Sequence, residues 1–304
     1  MSAGGGTKAI VAALSANAGI AVAKFIGFAV TGSSSMLAEG VHSVADTANQ
    51  GLLLLGKRTS QRKADAEHPF GYGRDRYFYS FVVALLLFTL GALFAIYEGV
   101  HKVQAPEPLE NPLVAVVILG LAVVLEGYSF RTAMAESREL RGDAGWWQFI
   151  RQAKVPELPV VLLEDTGALF GLVFALLGIV LSLVTGDPVW DGVATIAIGA
   201  LLGLIAVVLI VEMKSLLIGE GAGPEVLAAI VRELEGGNVE RVIHIRTQYL
   251  GPEEILVAAK IAFSGAATVE DVARSIDEAE IRVRSAVPAA RLIYLEPDLD
   301  RAPR

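Results

Sequence analysis

Six apolar segments, each long enough to cross a bilayer as a helix, run through this chain: approximately Ala9–Val30, Ser33–Gly56, Tyr77–Val100, Pro112–Phe130, Leu158–Val184 and Val189–Val211. Few folds are open to such a chain. Backbone N–H and C=O groups placed in hydrocarbon must be satisfied within the segment, and an α-helix does this. Composition agrees: 54% of the 304 residues are hydrophobic and the mean hydropathy is +0.55, beyond an ordinary soluble domain. The start, MSAGGGTKAIVAALSANAG, lacks a basic stretch and a clear cleavage site. Its apolar run therefore reads as the first membrane helix and not as a signal peptide.

The links between segments fall into two kinds. TGSSS, VQAPEPLENP and VTGDPVWD are short and hold almost no cations, with only Lys102 close by. Between the second and third segments come Lys57, Arg58, Arg62, Lys63, Arg74 and Arg76; between the fourth and fifth come Arg131, Arg138, Arg141, Arg151 and Lys154. The positive-inside rule puts both basic links in the cytoplasm, so the N- and C-termini of this multi-pass membrane protein are expected there too. A net charge of −8 argues against a nucleic-acid partner. With no cysteine, disulfides, thiolate metal sites and thiol catalysis are excluded.

From about Lys214 the character changes, giving an expected membrane domain over 1–213 and a small soluble domain over 214–304. Val226, Leu227, Ile230, Val231 and Leu234 share one face of a helix over Pro224–Glu235. Val239–Gln248 and Glu254–Phe263 read as strands joined in a hairpin around Leu250, Gly251 and Pro252. Thr268 is placed to cap a second helix, with Asp271 at its third position, and Arg291–Leu295 is a last strand. The order αββαβ predicts helices on one face of a sheet, in a module suited to dimerisation or regulation.

The membrane segments hold few polar residues: Asn17, Lys24, Glu39, His42, Asp46, Asn49, Glu98, Glu126, Glu164 and Asp165. Lys24 reads as a side chain that snorkels to an interface. His42 and Asp46 are different. Four residues apart, they point from one helix face near mid-depth, and Glu39 extends the same stripe. Ionisable groups there are costly and are functional-site candidates by default. An imidazole with a carboxylate is a ligand set for a divalent transition metal. Two ligands hold an ion weakly, and Glu164 and Asp165 on the fifth segment are the donors at compatible depth. At 1.5 Å per residue, Asp165 lies roughly 12 Å into its helix and Asp46 roughly 16 Å into its own. Adjacent helical residues diverge by about 100°, so one of the two carboxylates is expected to face the site.

These residues carry a family resemblance. SSSMLAEGVHSVAD, followed after a basic link by HPFGYGRDR, resembles the cation diffusion facilitator family over essentially the whole chain. The wording HSxxDTxNQ and LLEDT is similar to a divergent branch that includes the mitochondrial zinc transporters of animals. The resemblance implies six helices with cytoplasmic ends and an α+β tail. It also implies a homodimer that exchanges cytosolic divalent metal, commonly zinc, for protons, without a tightly bound cofactor. The family's second-helix ligands fall on His42 and Asp46. Its usual histidine on the fifth helix does not appear: the matching position is Val161 if Asp165 is the acid, or Val160 if Glu164 is. With Asn49 or water filling in, more oxygen and less nitrogen shifts preference from zinc toward manganese or iron.

The family's loop site falls on Asp65 and His68, with Tyr72 in the third place. In the tail, His244 is alone, and Tyr294 and Glu296 stand where a histidine and an aspartate belong, so no cytoplasmic binuclear site is expected. The reading that competes with a cation/proton antiporter is an intramembrane metalloenzyme whose ion activates water, against which stands the absence of a motif such as HExxH. A metal-binding membrane protein without transport is the third.

Overall fold

The computed structural model describes residues 18–263 and 268–299. Asn17 and the earlier part of the first predicted segment lie outside these residues. The described residues group into two compact units: those up to 57 with 78–213, and 58–77 with those from 214 onward.

The first unit is helical. Its elements are α1 (Ala18–Thr31, as described), α2 (Ser34–Thr59), α3 (Asp75–Gln104), α4 (Pro112–Arg141), the short α5 (Trp146–Gln152), α6 (Glu157–Thr185) and α7 (Val189–Ile218). Among the described residues, four stretches are long and apolar enough to cross a membrane: Asp75–Gln104, Pro112–Thr132, Glu157–Thr185 and Val189–Ile218. The second predicted segment is a helix of 26 residues, α2, whose length suffices but whose polar residues keep it out of that group.

Apolar side chains on these helices face outward in bulk. On α4, Leu113, Val117, Leu121, Val124 and Tyr128 are all exposed, and on α6 so are Phe170, Leu177 and Val184. A surface this apolar suits lipid rather than water. Inside the unit the reverse holds, and fully buried charged residues accompany the apolar core of Leu172, Ile179, Ile198 and Leu202. Small residues let helices meet at backbone distance: a Cβ on Gly99 of α3 would fall 2.7 Å from the Ile196 nitrogen of α7. Without a hydrophobic drive between helices in lipid, such close packing supplies the attraction. The middle of α3, Leu87–Leu93, is wound as a π-helix.

The second unit contains α8 (Pro224–Leu234), β1 (Val239–Gly251), β2 (Glu254–Phe263), α9 (Val269–Ala286) and β3 (Leu292–Pro297), in the expected order αββαβ. The sheet runs β1-β2-β3, antiparallel between β1 and β2 and parallel between β2 and β3. β1 continues past the predicted Gln248, because Gly251 pairs with Glu254 and tightens the hairpin. Thr268 and Asp271 form a reciprocal capping box at the start of α9, as their spacing predicts. Ile230 and Leu234 of α8 and Ala279 and Val283 of α9 close one core with Val257, Ile261 and Ile293 of the sheet. The link Arg58–Tyr77 groups with this unit, and Gly73 lies against the hairpin at Leu250 and Gly251, where a Cβ would collide with the Leu250 carbonyl.

Candidate functional site

Glu39, His42, Asp46 and Asn49 follow one another along α2 at intervals of three, four and three residues, which is one face of a helix. Glu39, His42 and Asn49 are fully buried, and the Asp46 side chain keeps 15% of its surface. His42 Nε2 stands 3.5 Å from Asp46 Oδ2. Each member of the stripe carries a buried polar atom without a hydrogen-bond partner: Glu39 Oε1, both ring nitrogens of His42, Asp46 Oδ1 and Asn49 Oδ1. Buried polar atoms are nearly always paired, and leaving one unpaired costs about 1–3 kcal/mol. Five such atoms, on four residues of one stripe, call for a shared partner. Ligand atoms about 2.0–2.2 Å from a tetrahedral ion stand about 3.3–3.6 Å apart, and the His42–Asp46 separation falls in that range.

The two acidic neighbours on α6 part company. Glu164 is buried, and its Oε1 accepts a 2.5 Å hydrogen bond from Asn49 Nδ2 on α2. Asp165 is half-buried and accepts from Ser129 Oγ on α4 at 3.2 Å. Asp46 interacts electrostatically with both, and with Glu126 of α4. Among the described residues no three His, Asp or Glu side chains form a group able to hold a metal ion. The structure therefore unites His42 with Asp46, and Asn49 with Glu164, along one interface between α2 and α6. Val160, in the position of the missing histidine for Glu164, is buried apolar packing.

Two buried groups beside the stripe escape the sequence. Lys24 does not snorkel: it is fully buried on α1, its Nζ 2.9 Å from Glu39 Oε2 and donating to Ser43 Oγ at 2.8 Å. A charge without a partner is too costly to stay there, and Glu39 provides one. Asp191, also fully buried, reaches from the first turn of α7 to the start of α2. Its Oδ1 accepts from the hydroxyls of Ser33 at 2.9 Å and Ser35 at 2.5 Å, and its Oδ2 from the Ser34 N–H at 2.8 Å. Ser34 Oγ donates in turn to Glu98 of α3 at 2.9 Å. A carboxylate on the open N–H groups of a helix start is favoured by both hydrogen bonding and the helix dipole. The only signal in the sequence was the serine run itself.

At the loop position, Asp65 is occupied by its own turn. Oδ1 accepts the N–H groups of Glu67 and His68 at 3.1 and 2.8 Å, and Oδ2 accepts the Tyr72 hydroxyl at 2.6 Å. The Tyr72 hydrogen bond, then that of the His68 amide, holds the Asp65 carboxyl below the ordinary aspartate range, and the same bond to Asp65 pushes the Tyr72 phenol up. The His68 and Tyr72 rings lie tilted against each other with centroids 4.3 Å apart, and the Arg62 guanidinium covers the Tyr72 ring at 4.1 Å. In the tail, His244 accepts from Arg246 Nε at 3.1 Å, and Glu296 with Asp298 holds Lys260 at 2.9 and 3.1 Å. A lysine between those carboxylates occupies the place a cation would take.

Residues 10–218 match the cation efflux transmembrane domain. The chain is 33% identical over 261 residues to the mitochondrial proton-coupled zinc antiporter of Homo sapiens, covering 85% of this chain and 46% of that protein. It is 31% identical over 267 residues to metal tolerance protein C4 of Arabidopsis thaliana, covering 87% of this chain and 58% of that one. A magnetosome protein, MamB of Magnetospira sp., is 26% identical over 258 residues, covering 83% of each chain. The chain thus spans about half the length of the human and plant relatives. A matched domain over most of the chain, with the polar stripe of α2 inside it, makes this protein a member of the cation efflux family of membrane metal transporters, with a mitochondrial zinc antiporter among its relatives.

Proposed function

We propose that the protein exports a divalent transition metal, zinc foremost, in exchange for protons. The ion passes between α2 and α6, held by His42 and Asp46 and completed by Glu164, with Asp165 and Asn49 beside it. The single observation that carries this reading is the stripe of unpartnered buried atoms on α2, with His42 and Asp46 at a spacing two ligands of one ion adopt. The names of two relatives, both zinc antiporters or metal tolerance proteins, point to the same cargo class. A single nitrogen ligand leaves room for manganese or iron as secondary cargo.

The exchange follows from the ligands. Metal binding needs a neutral imidazole and ionised carboxylates, so protons arriving from the far side displace the ion. A three-ligand site completed by water suits release better than a closed cage. In this reading six helices span, counting α1 and α2; the basic links and both termini face the cytoplasm; and residues 214–304 pair two copies of the chain. Asp65 and His68 shape their loop rather than bind the cargo, since both Asp65 oxygens already accept hydrogen bonds.

The test is uptake of zinc, manganese and iron by purified protein in proteoliposomes under an imposed pH gradient. Flux driven by the gradient is expected for the parent, and its loss in His42→Ala and Asp46→Ala. Parent-like flux in both variants would overturn the site. Stoichiometric binding with no flux of any cation would overturn transport.

A further inference from the structure

The hydrogen bonds of Lys24 go to Glu39 and Ser43 and not to the candidate metal pair, so it holds the first member of the stripe. Glu39 lies three residues before His42 on the same face of α2, one helical turn from His42 and two turns, about 10 Å along the axis, from Asp46. It is the only carboxylate of the stripe with an ammonium partner among the described residues. Lys24 takes Oε2 and also hydrogen-bonds Ser43, which lies next to His42 in sequence. The other oxygen, Oε1, has no hydrogen-bond partner and abuts Gly171 of α6, where no Cβ would fit. Glu39 is thus half engaged: one oxygen is neutralised from α1, and the other is buried against Gly171 without a hydrogen-bond partner, on the helix face that carries His42 and Asp46.

We propose that Lys24 is a specificity-determining residue of the transport site, acting by position: it withholds Glu39 from the ion. This rests on the reading of His42 and Asp46 as metal ligands. With Lys24 in place, the ion meets one imidazole and a small number of oxygens, a set that imidazole biases toward zinc. Without it, Glu39 is an unpaired buried carboxylate one turn from His42 and becomes an added hard oxygen ligand from that side of the ion. Added carboxylate favours manganese over zinc, because carboxylate and water suit manganese while imidazole suits zinc. The buried glycine at 171 fits this role, since it leaves space beside Glu39 Oε1 that a side chain would fill.

The experiment compares zinc and manganese uptake in proteoliposomes for the parent, Lys24→Met and the double variant Lys24→Met/Glu39→Gln. Lys24→Met is expected to shift the zinc-to-manganese ratio about tenfold toward manganese, the lower end for changes beside a metal site. The double variant is expected to return to the parent ratio, because a glutamine at 39 offers no charge. Removing one partner of a buried pair often prevents folding, whereas neutralising both is often tolerated. Lys24→Gln, which keeps a donor toward Ser43, therefore runs alongside and is expected to shift the ratio the same way. The proposal is overturned if the single variants keep the parent ratio, or if the double variant shifts as far as the single. It is equally overturned if both single variants fail to fold while the double folds with the parent ratio, since the pair is then only a structural tie. His42→Ala is measured in parallel. If it alone abolishes uptake and the Lys24 variants change nothing, only this inference fails; if it transports like the parent, the underlying site does.

Discussion

Asn49 on α2 and Glu164 on α6 share a 2.5 Å hydrogen bond between two buried side chains 115 positions apart. That bond turns Glu164, and not Asp165, toward the helix that carries His42 and Asp46. Asp165 spends its hydrogen bond on Ser129 of α4. The adjacent acids therefore have separable roles. Glu164→Ala is expected to weaken apparent zinc affinity by about 10–100-fold, as for groups that ligate or directly support a metal. Asp165→Ala is expected to cost far less. Competition binding of zinc and manganese to both variants checks this, and a larger loss in Asp165→Ala would reverse the assignment.

The start of α2 depends on a residue that belongs to another helix. Asp191 accepts from two serine hydroxyls and one backbone N–H, all buried. Asp191→Ala strands those donors, at about 1–3 kcal/mol each for any that stays dry. Asp191→Asn keeps one acceptor oxygen and turns the other into a donor facing donors, so it recovers part of the loss. Melting midpoints of detergent-purified protein should fall in the order parent, Asn, Ala. An Asp191→Ala variant melting with the parent would mean that water replaces the carboxylate at no cost.

What the sequence revealed and what it hid have a common physical cause. The tail was legible because its signals are local: the period of α8, the alternation in β2 and the Thr268–Asp271 spacing each lie within a dozen residues. His42 and Asp46 were legible for the same reason, being one helical turn apart. Lys24 was misread because its partner is 15 positions away on another helix. The role of Asp191 was invisible because its serines lie 156–158 positions away. Nor could the sequence choose between Glu164 and Asp165, since the choice depends on how α6 is rotated against α2 and α4. Hydropathy even counts against α2, because the polar residues that make the stripe are the ones that hold the helix below a membrane threshold.

The loop around Asp65 gives a prediction that depends on pH. The Tyr72 hydroxyl and the amides of His68 and Glu67 stabilise the charged carboxylate, so its folded-state pKa lies below the unfolded value. The sign follows from linkage: the stabilisation is fully present above the ordinary aspartate pKa and is lost as pH falls through the depressed, folded-state value. The turn is therefore expected to hold at neutral and mildly acidic pH and to open only below the ordinary aspartate range. Tyr72→Phe removes the largest contribution, raises the Asp65 pKa toward its ordinary value, and moves opening to higher pH. Hydrogen-exchange protection of the Glu67 and His68 amides, followed against pH in the intact protein, reads this directly. Identical profiles for parent and Tyr72→Phe would show that the phenol does not stabilise the carboxylate. The same measurement with zinc added separates the two uses of Asp65: an acid already accepting three hydrogen bonds should keep its profile at millimolar metal, whereas a ligand would exchange those bonds for the ion.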